Sequence, residues 1–327
     1  MAKKKATAGK KEAEIQKSDR KRQTILGVIV VAVLIAVLCV VGYFIWRANR
    51  PSSSSSSSTS TSQQERKEAE AELASVKVKP SAALANGGFL VSKNGLNKPI
   101  SGVPTISIYM DFICPACGEV DRDIDNTLIQ MVNAGQVNVE IHPEAFLNDE
   151  STDEYSSRAA GAAVYVAQYE PDKLLDVVRA FFASDYQPKE SQNYKPVSNA
   201  MISAQLEKAG VSAAVAQDAV KGKYVPWVNA QTSMATTDTA LEHPSGQLKG
   251  EITTPTFIIN GHYWLFDEAW SQTGSPLTSL LKAIGLTQDQ VGTSTKPKLG
   301  SKGEPLFPTA SSSSSSSSAS SSSASAN

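Results

Sequence analysis

Cysteine and histidine are scarce: the 327 residues hold three of each. Three cysteines are too few for a disulfide-stapled scaffold, which needs several pairs. A zinc site needs four ligands, and Cys114 and Cys117 with scattered His142, His243 and His262 match no ligand spacing, so no metal is expected. The histidines are expected to be solvated or locally hydrogen-bonded. A haem attachment site needs histidine directly after the second cysteine, where this chain has Gly118. Net charge is also lacking, at −1 overall. Residues 1–23 carry nine basic and three acidic side chains, so that segment is +6 and the remainder −7. A mildly acidic body argues against nucleic acid as a partner.

One stretch lacks charge altogether. "TILGVIVVAVLIAVLCVVGYFIW", residues 24–46, has 23 uncharged residues. As a helix it would span roughly 34 Å, enough for a hydrocarbon core of about 30 Å. The run is too long for the apolar part of a cleavable signal peptide, and it ends in Tyr43, Phe44 and Trp46, residues suited to a membrane interface. It reads as a transmembrane signal anchor. The basic residues before it place the N-terminus in the cytoplasm and everything after Arg47 outside. The localisation expected is therefore a cell membrane, single-pass, with an extracytoplasmic domain. That compartment permits disulfides. Cys39 lies in the span, leaving only Cys114 and Cys117 in the exported part.

The chain divides by composition. Residues 1–23 are a basic tail and 24–46 the anchor. Residues 47–79 are a Ser-rich linker, including "PSSSSSSSTSTSQQ", with a short helix from Glu65. Residues 80–290 are the folded domain, and 291–327 form a disordered Ser-rich tail. Within the domain, "GGFLVSKNG" is a short strand ending at an Asn94-Gly95 turn. "PTISIYMDF" is a strand rich in β-branched and aromatic residues. Val120, Ile124, Leu128 and Met131 recur at helical steps after Cys114, with Gly135 as the stop. "VNVEI" is the next strand, so strand–helix–strand implies parallel pairing. About 150–243 reads as a helical insertion. "TPTFIINGHYWLF" then reads as a hairpin around Asn260-Gly261, and "SPLTSLLKAIGL" as a closing helix.

The pair Cys114 and Cys117 sits in "DFICPACGEV", at a strand-to-helix junction. Thiol–disulfide exchange needs a thiolate and a second thiol that resolves the mixed disulfide. A cysteine at a helix N-terminus lies against unpaired N–H groups and the positive end of the helix dipole, which lower its pKa. Pro115 suits the first turn, where its missing N–H is not needed. Cys114 is therefore the expected attacking thiol and Cys117 the resolving one. The competing reading is a structural disulfide, which would close a very small loop and constrain the unfolded chain little.

The order of elements, with "DFICPACGEV" and "TTPTFIINGHYW" separated by about one hundred helical residues, resembles the DsbA-like family of exported thiol oxidoreductases. The resemblance covers about residues 86–286. It implies an α/β thioredoxin fold with an inserted helical domain, catalytic Cys114 and Cys117, and Thr254-Pro255 as a cis-proline loop that binds substrate. Membrane-anchored members of Gram-positive bacteria share this layout, so the resemblance implies a bacterial cell membrane. The resemblance also implies exported cysteine-containing proteins as substrates, a quinone-linked membrane partner for reoxidation, and no cofactor. Asp111 matches an acidic position of some members. It either accepts a proton from Cys117 through water or caps the turn before Cys114. Ala116 stands where the family's best-studied oxidase has histidine, so thiolate stabilisation is left to the helix terminus. Tyr263 and Trp264 either line a substrate groove or are buried by an amphipathic hairpin. Three functions follow: an oxidase or isomerase of exported proteins, a reductase fed by a membrane partner, or an anchored binding module with a structural disulfide.

Overall fold

A computed structural model describes residues 58–308. The basic tail, the apolar run with Cys39, the linker up to residue 57 and the tail from 309 lie outside the described residues. Among the described residues, no helix is long and apolar enough to cross a membrane.

The first helix, α1 (Ser58–Ser75), begins earlier than Glu65 and takes in part of the expected linker. Strong helix formers from Gln63 onward propagate the helix backwards, helped by Gln64–Glu68 and Arg66–Glu70 pairs one turn apart. Ala69 is buried and Leu73 packs on the domain.

A mixed sheet of six strands forms the centre, in the order β2-β1-β4-β3-β5-β6. It comprises β1 (Phe89–Ser92), β2 (Gly95–Leu96), β3 (Thr105–Asp111), β4 (Asn138–Glu144), β5 (Thr256–Ile259) and β6 (His262–Tyr263). β3 and β4 are parallel, joined by helix α2 (Pro115–Ala134), and the other pairs are antiparallel. Alternation along β3 buries Ile106, Ile108 and Met110 on one face and leaves Tyr109 and Asp111 for the other. α2 ends at Gly135, in the left-handed region at φ 74°, where its N–H and that of Gln136 cap carbonyls of the last turn.

The insertion consists of α3 (Tyr155–Tyr169), α4 (Leu174–Phe181), α5 (Asn199–Lys208), α6 (Ala213–Ala219) and α7 (Val225–Ala235). Its α3 and α7 pack on β4, and their Ser156 and Thr232 reach the side chains of Asp111 and Glu144. The expected hairpin then turns at Asn260-Gly261, both left-handed, as a tight hairpin requires. β6 is shorter than the apolar run suggested. The chain enters α8 (Phe266–Thr273) at once, with Asp267 and Glu268 in the first turn favouring a helix there. The closing helix α9 (Pro276–Ala283) packs against α2.

The expected domain end at residue 290 is overrun. Residues up to 308 continue as a strap: Lys298 and Leu306 donate to the carbonyls of Ile284 and Ala283, each at 2.8 Å. The Trp264 indole N–H donates to Phe307 C=O at 2.7 Å, and Gln136 holds the carbonyls of Gln290 and Thr295. Apolar Leu299 and Phe307 pack on the core, which is why this part is not tail-like.

Candidate active site

The register of β3 builds the site. Tyr109 pairs with Thr256, so Pro255 and Thr254, just before β5, fall beside the loop that follows Asp111. The Thr254-Pro255 bond is cis. Cys114 is the N-cap of α2, with Pro115 in the first turn. The Cys117 backbone N–H donates to Cys114 Sγ at 3.4 Å, and the Cys114 thiol donates to the Thr254 carbonyl at 3.3 Å. Cys114, Cys117, Thr254 and Pro255 are thus brought together, and both thiols are unpaired and buried.

The thiols are electrostatically unequal. A hydrogen bond from the Cys117 thiol, aided by the Cys117 N–H, holds Cys114 below the ordinary thiol value despite its burial. Burial, and then the neighbouring Cys114, push Cys117 well above it. This is the asymmetry exchange chemistry needs: one sulfur ionises, and the other stays protonated until a disulfide forms next to it.

Asp111 caps the turn. Its carboxylate accepts from Ile113 N–H at 3.0 Å, Leu147 N–H at 2.8 Å and Ser156 O–H at 2.7 Å, while its backbone carbonyl accepts Cys114 N–H at 3.1 Å. Full burial outweighs these bonds and pushes its pKa up to about 6. Beside it in register lies Glu144, pushed up to about 7 by burial, with Thr232 O–H donating at 2.8 Å. Glu144 also lines a cavity of about 210 Å³ with Tyr109, Asn86 and Asp238.

The insertion adds residues that the motifs did not point to. Gln187, on the segment after α4, donates from Nε2 to the Cys114 carbonyl at 2.8 Å and approaches the Phe112 carbonyl at 3.4 Å. Phe112 packs on Phe181 and Phe182, with ring centroids 5.0 and 5.1 Å away. For Glu144 a signal existed: Glu140, His142 and Glu144 alternate along β4, so polar side chains share one buried face. For Gln187 no local signal existed, because its contact spans 73 residues.

Each histidine has a hydrogen-bond partner, near in sequence for His142 and His243 and 40 residues away for His262. His142 is buried, meets Glu140 at 2.7 Å and stacks on Tyr109 at 3.9 Å. His243 meets the Thr253 hydroxyl at 2.7 Å, and His262 the Lys302 carbonyl at 3.2 Å. Trp264 is in the core, 2% exposed, so the groove reading does not apply to it. Tyr263 is half-buried against His243. Among the described residues, no group of three or more acidic, His or Cys side chains could hold a metal ion.

A strand–CxxC–helix unit facing a proline loop, on a mixed sheet with flanking helices, defines a protein of thioredoxin fold. The family model described as Thioredoxin matches residues 102–283, more than half of the chain, and the chain belongs to that family. Among curated proteins it is similar to the serine/threonine-protein kinase PknE of Mycobacterium tuberculosis, 37% identical over 89 residues. That alignment covers 27% of this chain and 16% of the kinase, so the chain spans about one sixth of that relative's length. Among solved structures it is similar to oxidised DsbA of M. tuberculosis, 28% identical, covering 54% of this chain and 84% of that one, with a TM-score of 0.44. A reduced disulfide bond oxidoreductase, DsbG of M. tuberculosis, is 29% identical, covering 54% and 79%, also at 0.44.

Proposed function

We propose that the protein is a thiol:disulfide oxidoreductase that oxidises or isomerises cysteines of exported proteins through its CPAC motif. The observation carrying this reading is the placement of the pair: Cys114 Sγ, at the N-cap of α2, accepts the Cys117 N–H and faces the Thr254 carbonyl. Cys114 caps a helix and is held below its ordinary pKa, while Cys117 one turn on is held above it.

In the oxidised enzyme, a substrate thiolate attacks Cys114 Sγ. The Cys114–Cys117 bond breaks, a substrate–Cys114 disulfide forms, and Cys117 leaves as a thiolate that takes up a proton. A second substrate thiolate then attacks the first substrate sulfur and releases the Cys114 thiolate. The substrate dithiol loses two electrons and the enzyme pair gains them. In the reverse resolution step Cys117 must lose its proton, and Asp111, pushed up to about 6, is the proposed acceptor. Pairing with the Thr254 backbone is the proposed means of holding an extended substrate segment.

The apolar run at 24–46 supports a single-span anchor with the N-terminus in the cytoplasm and the redox domain outside. A quinone-linked membrane partner is the proposed route of reoxidation. The test is equilibration of the full chain with glutathione mixtures, reading the Cys114–Cys117 disulfide. With no polar side chain at Ala116 to stabilise the thiolate, a potential of roughly −230 to −150 mV is expected. A value below about −270 mV would favour a reductase instead.

A further inference from the structure

We infer that Gln187 is a positioning residue for Cys114, carried into the redox site by the helical insertion. This rests on the reading of Cys114 as the attacking thiol. Its Nε2 donates to the Cys114 carbonyl at 2.8 Å and lies 3.4 Å from the Phe112 carbonyl. The two hydrogens of one amide therefore bracket the turn that leads from β3 into α2. The Oε1 atom accepts from Arg122 Nη1 at 3.0 Å, and the same Nη1 donates to the Phe182 carbonyl at 2.7 Å. Arg122 thereby fixes which end of the amide faces Cys114.

Gly118 lies directly beneath the same amide. It lies in the first turn of α2, where glycine is a poor helix former. A Cβ there would stand 2.0 Å from Gln187 Oε1 and 2.7 Å from Arg122 Nη1. The missing Cβ at Gly118 leaves the space that the Gln187 amide occupies over the helix start.

The consequence is electrostatic. The Cys114 carbonyl also accepts the Gly118 N–H, at 3.2 Å, and so belongs to the first helical turn. Holding that carbonyl keeps the Cys117 N–H aimed at Cys114 Sγ, at 3.4 Å. The cationic Arg122 polarises the Gln187 amide, which draws electron density from the carbonyl adjoining the thiolate. Loss of Gln187 should loosen the turn and make the Cys114 thiol less acidic.

The experiment compares full-length proteins, each also carrying Cys117→Ala so that only Cys114 of the pair ionises. Thiolate absorbance is followed against pH, with alkylation rates taken below the midpoint. Gln187→Met keeps the volume and removes the hydrogen bonds. Its midpoint should rise by about half to one pH unit, and alkylation should slow about three- to tenfold. Gly118→Ala displaces the amide without touching Gln187 and should shift the midpoint the same way. A Gln187→Met midpoint equal to that of the parent would make Gln187 a space filler and overturn the inference. If Gln187→Met does not fold, Gly118→Ala decides: an unshifted midpoint overturns the inference and a raised one supports it. The midpoint requires no exchange activity. Failure of the parent to oxidise protein thiols would therefore remove the functional reading while the comparison still returned its own answer.

Discussion

Asp111→Asn tests the buried carboxyl beneath the cysteine pair. Asp111 is fully buried, and its pKa is pushed from an ordinary 3.8 up to about 6. Between those values the folded state binds the proton more tightly than the unfolded state, so stability falls as pH rises through that window. The displacement corresponds to about 3 kcal/mol, an order of magnitude for a group with no solvent screening. Asparagine cannot ionise and removes this slope. Its carbonyl can still accept from Ile113 and Ser156, but its NH2 would meet the Leu147 N–H, a donor facing a donor. That lost bond costs about 1–3 kcal/mol at every pH. At pH near 4 the variant should therefore be less stable than the parent by that amount. By pH 7.5 the gap should close by about 3 kcal/mol and can reverse. Urea unfolding of the full chain at both pH values measures the difference. Parallel pH profiles for parent and variant would refute the claim that Asp111 ionises at a cost inside the fold.

Other outcomes follow from particular contacts. In the reduced protein near neutral pH, Cys114 should be alkylated before Cys117, because its thiol is the more acidic; mass-spectrometric mapping that finds Cys117 first would reverse their roles. Phe112→Ala should destabilise by about 3–5 kcal/mol in chemical unfolding, since the ring is fully buried between Phe181 and Phe182; a loss under 1 kcal/mol, roughly that of a surface change, would contradict this packing. Removing residues 291–308 should lower stability and raise protease sensitivity near Trp264, whose indole N–H loses the Phe307 carbonyl; an unchanged melting curve would make the strap incidental. For topology, an added cysteine at Lys298 should react with an impermeant maleimide on intact cells and one at Lys10 should not; the opposite pattern would invert the proposed orientation.

Much of the fold was legible because its signals are local. Pro115, Gly135 and the apolar steps between them delimit α2, and Asn260-Gly261 marks the hairpin. The cysteine pair could be placed because strand, turn and helix adjoin in sequence. What could not be read depends on contacts far along the chain. The strap beyond 290 looks like tail until Leu306 and Phe307 find α9 and Trp264. The sequence offers Asp111 both as proton acceptor and as turn cap. The structure shows the cap, through Ile113 N–H, and adds Ser156 and Leu147, which no motif announces, while the proton role is a proposal. Gln187 was silent for the same reason. Its polar side chain is ordinary in sequence and acquires meaning only when the insertion folds back over Gly118.

Trapping the mixed disulfide tests the central claim most directly. In full-length Cys117→Ala, Cys114 is first converted to a disulfide with a small thiol and then offered a reduced, unfolded protein containing a single cysteine. The account predicts a covalent enzyme–substrate complex that reductant dissolves, linked through Cys114, because neither Cys117 nor a second substrate thiol is present to resolve it. Cys114→Ala treated in the same way should form none. A Cys117→Ala protein that stays monomeric, or a complex that forms equally well through Cys117 when Cys114 is absent, would contradict the assignment of Cys114 as the attacking thiol and with it the proposed oxidoreductase.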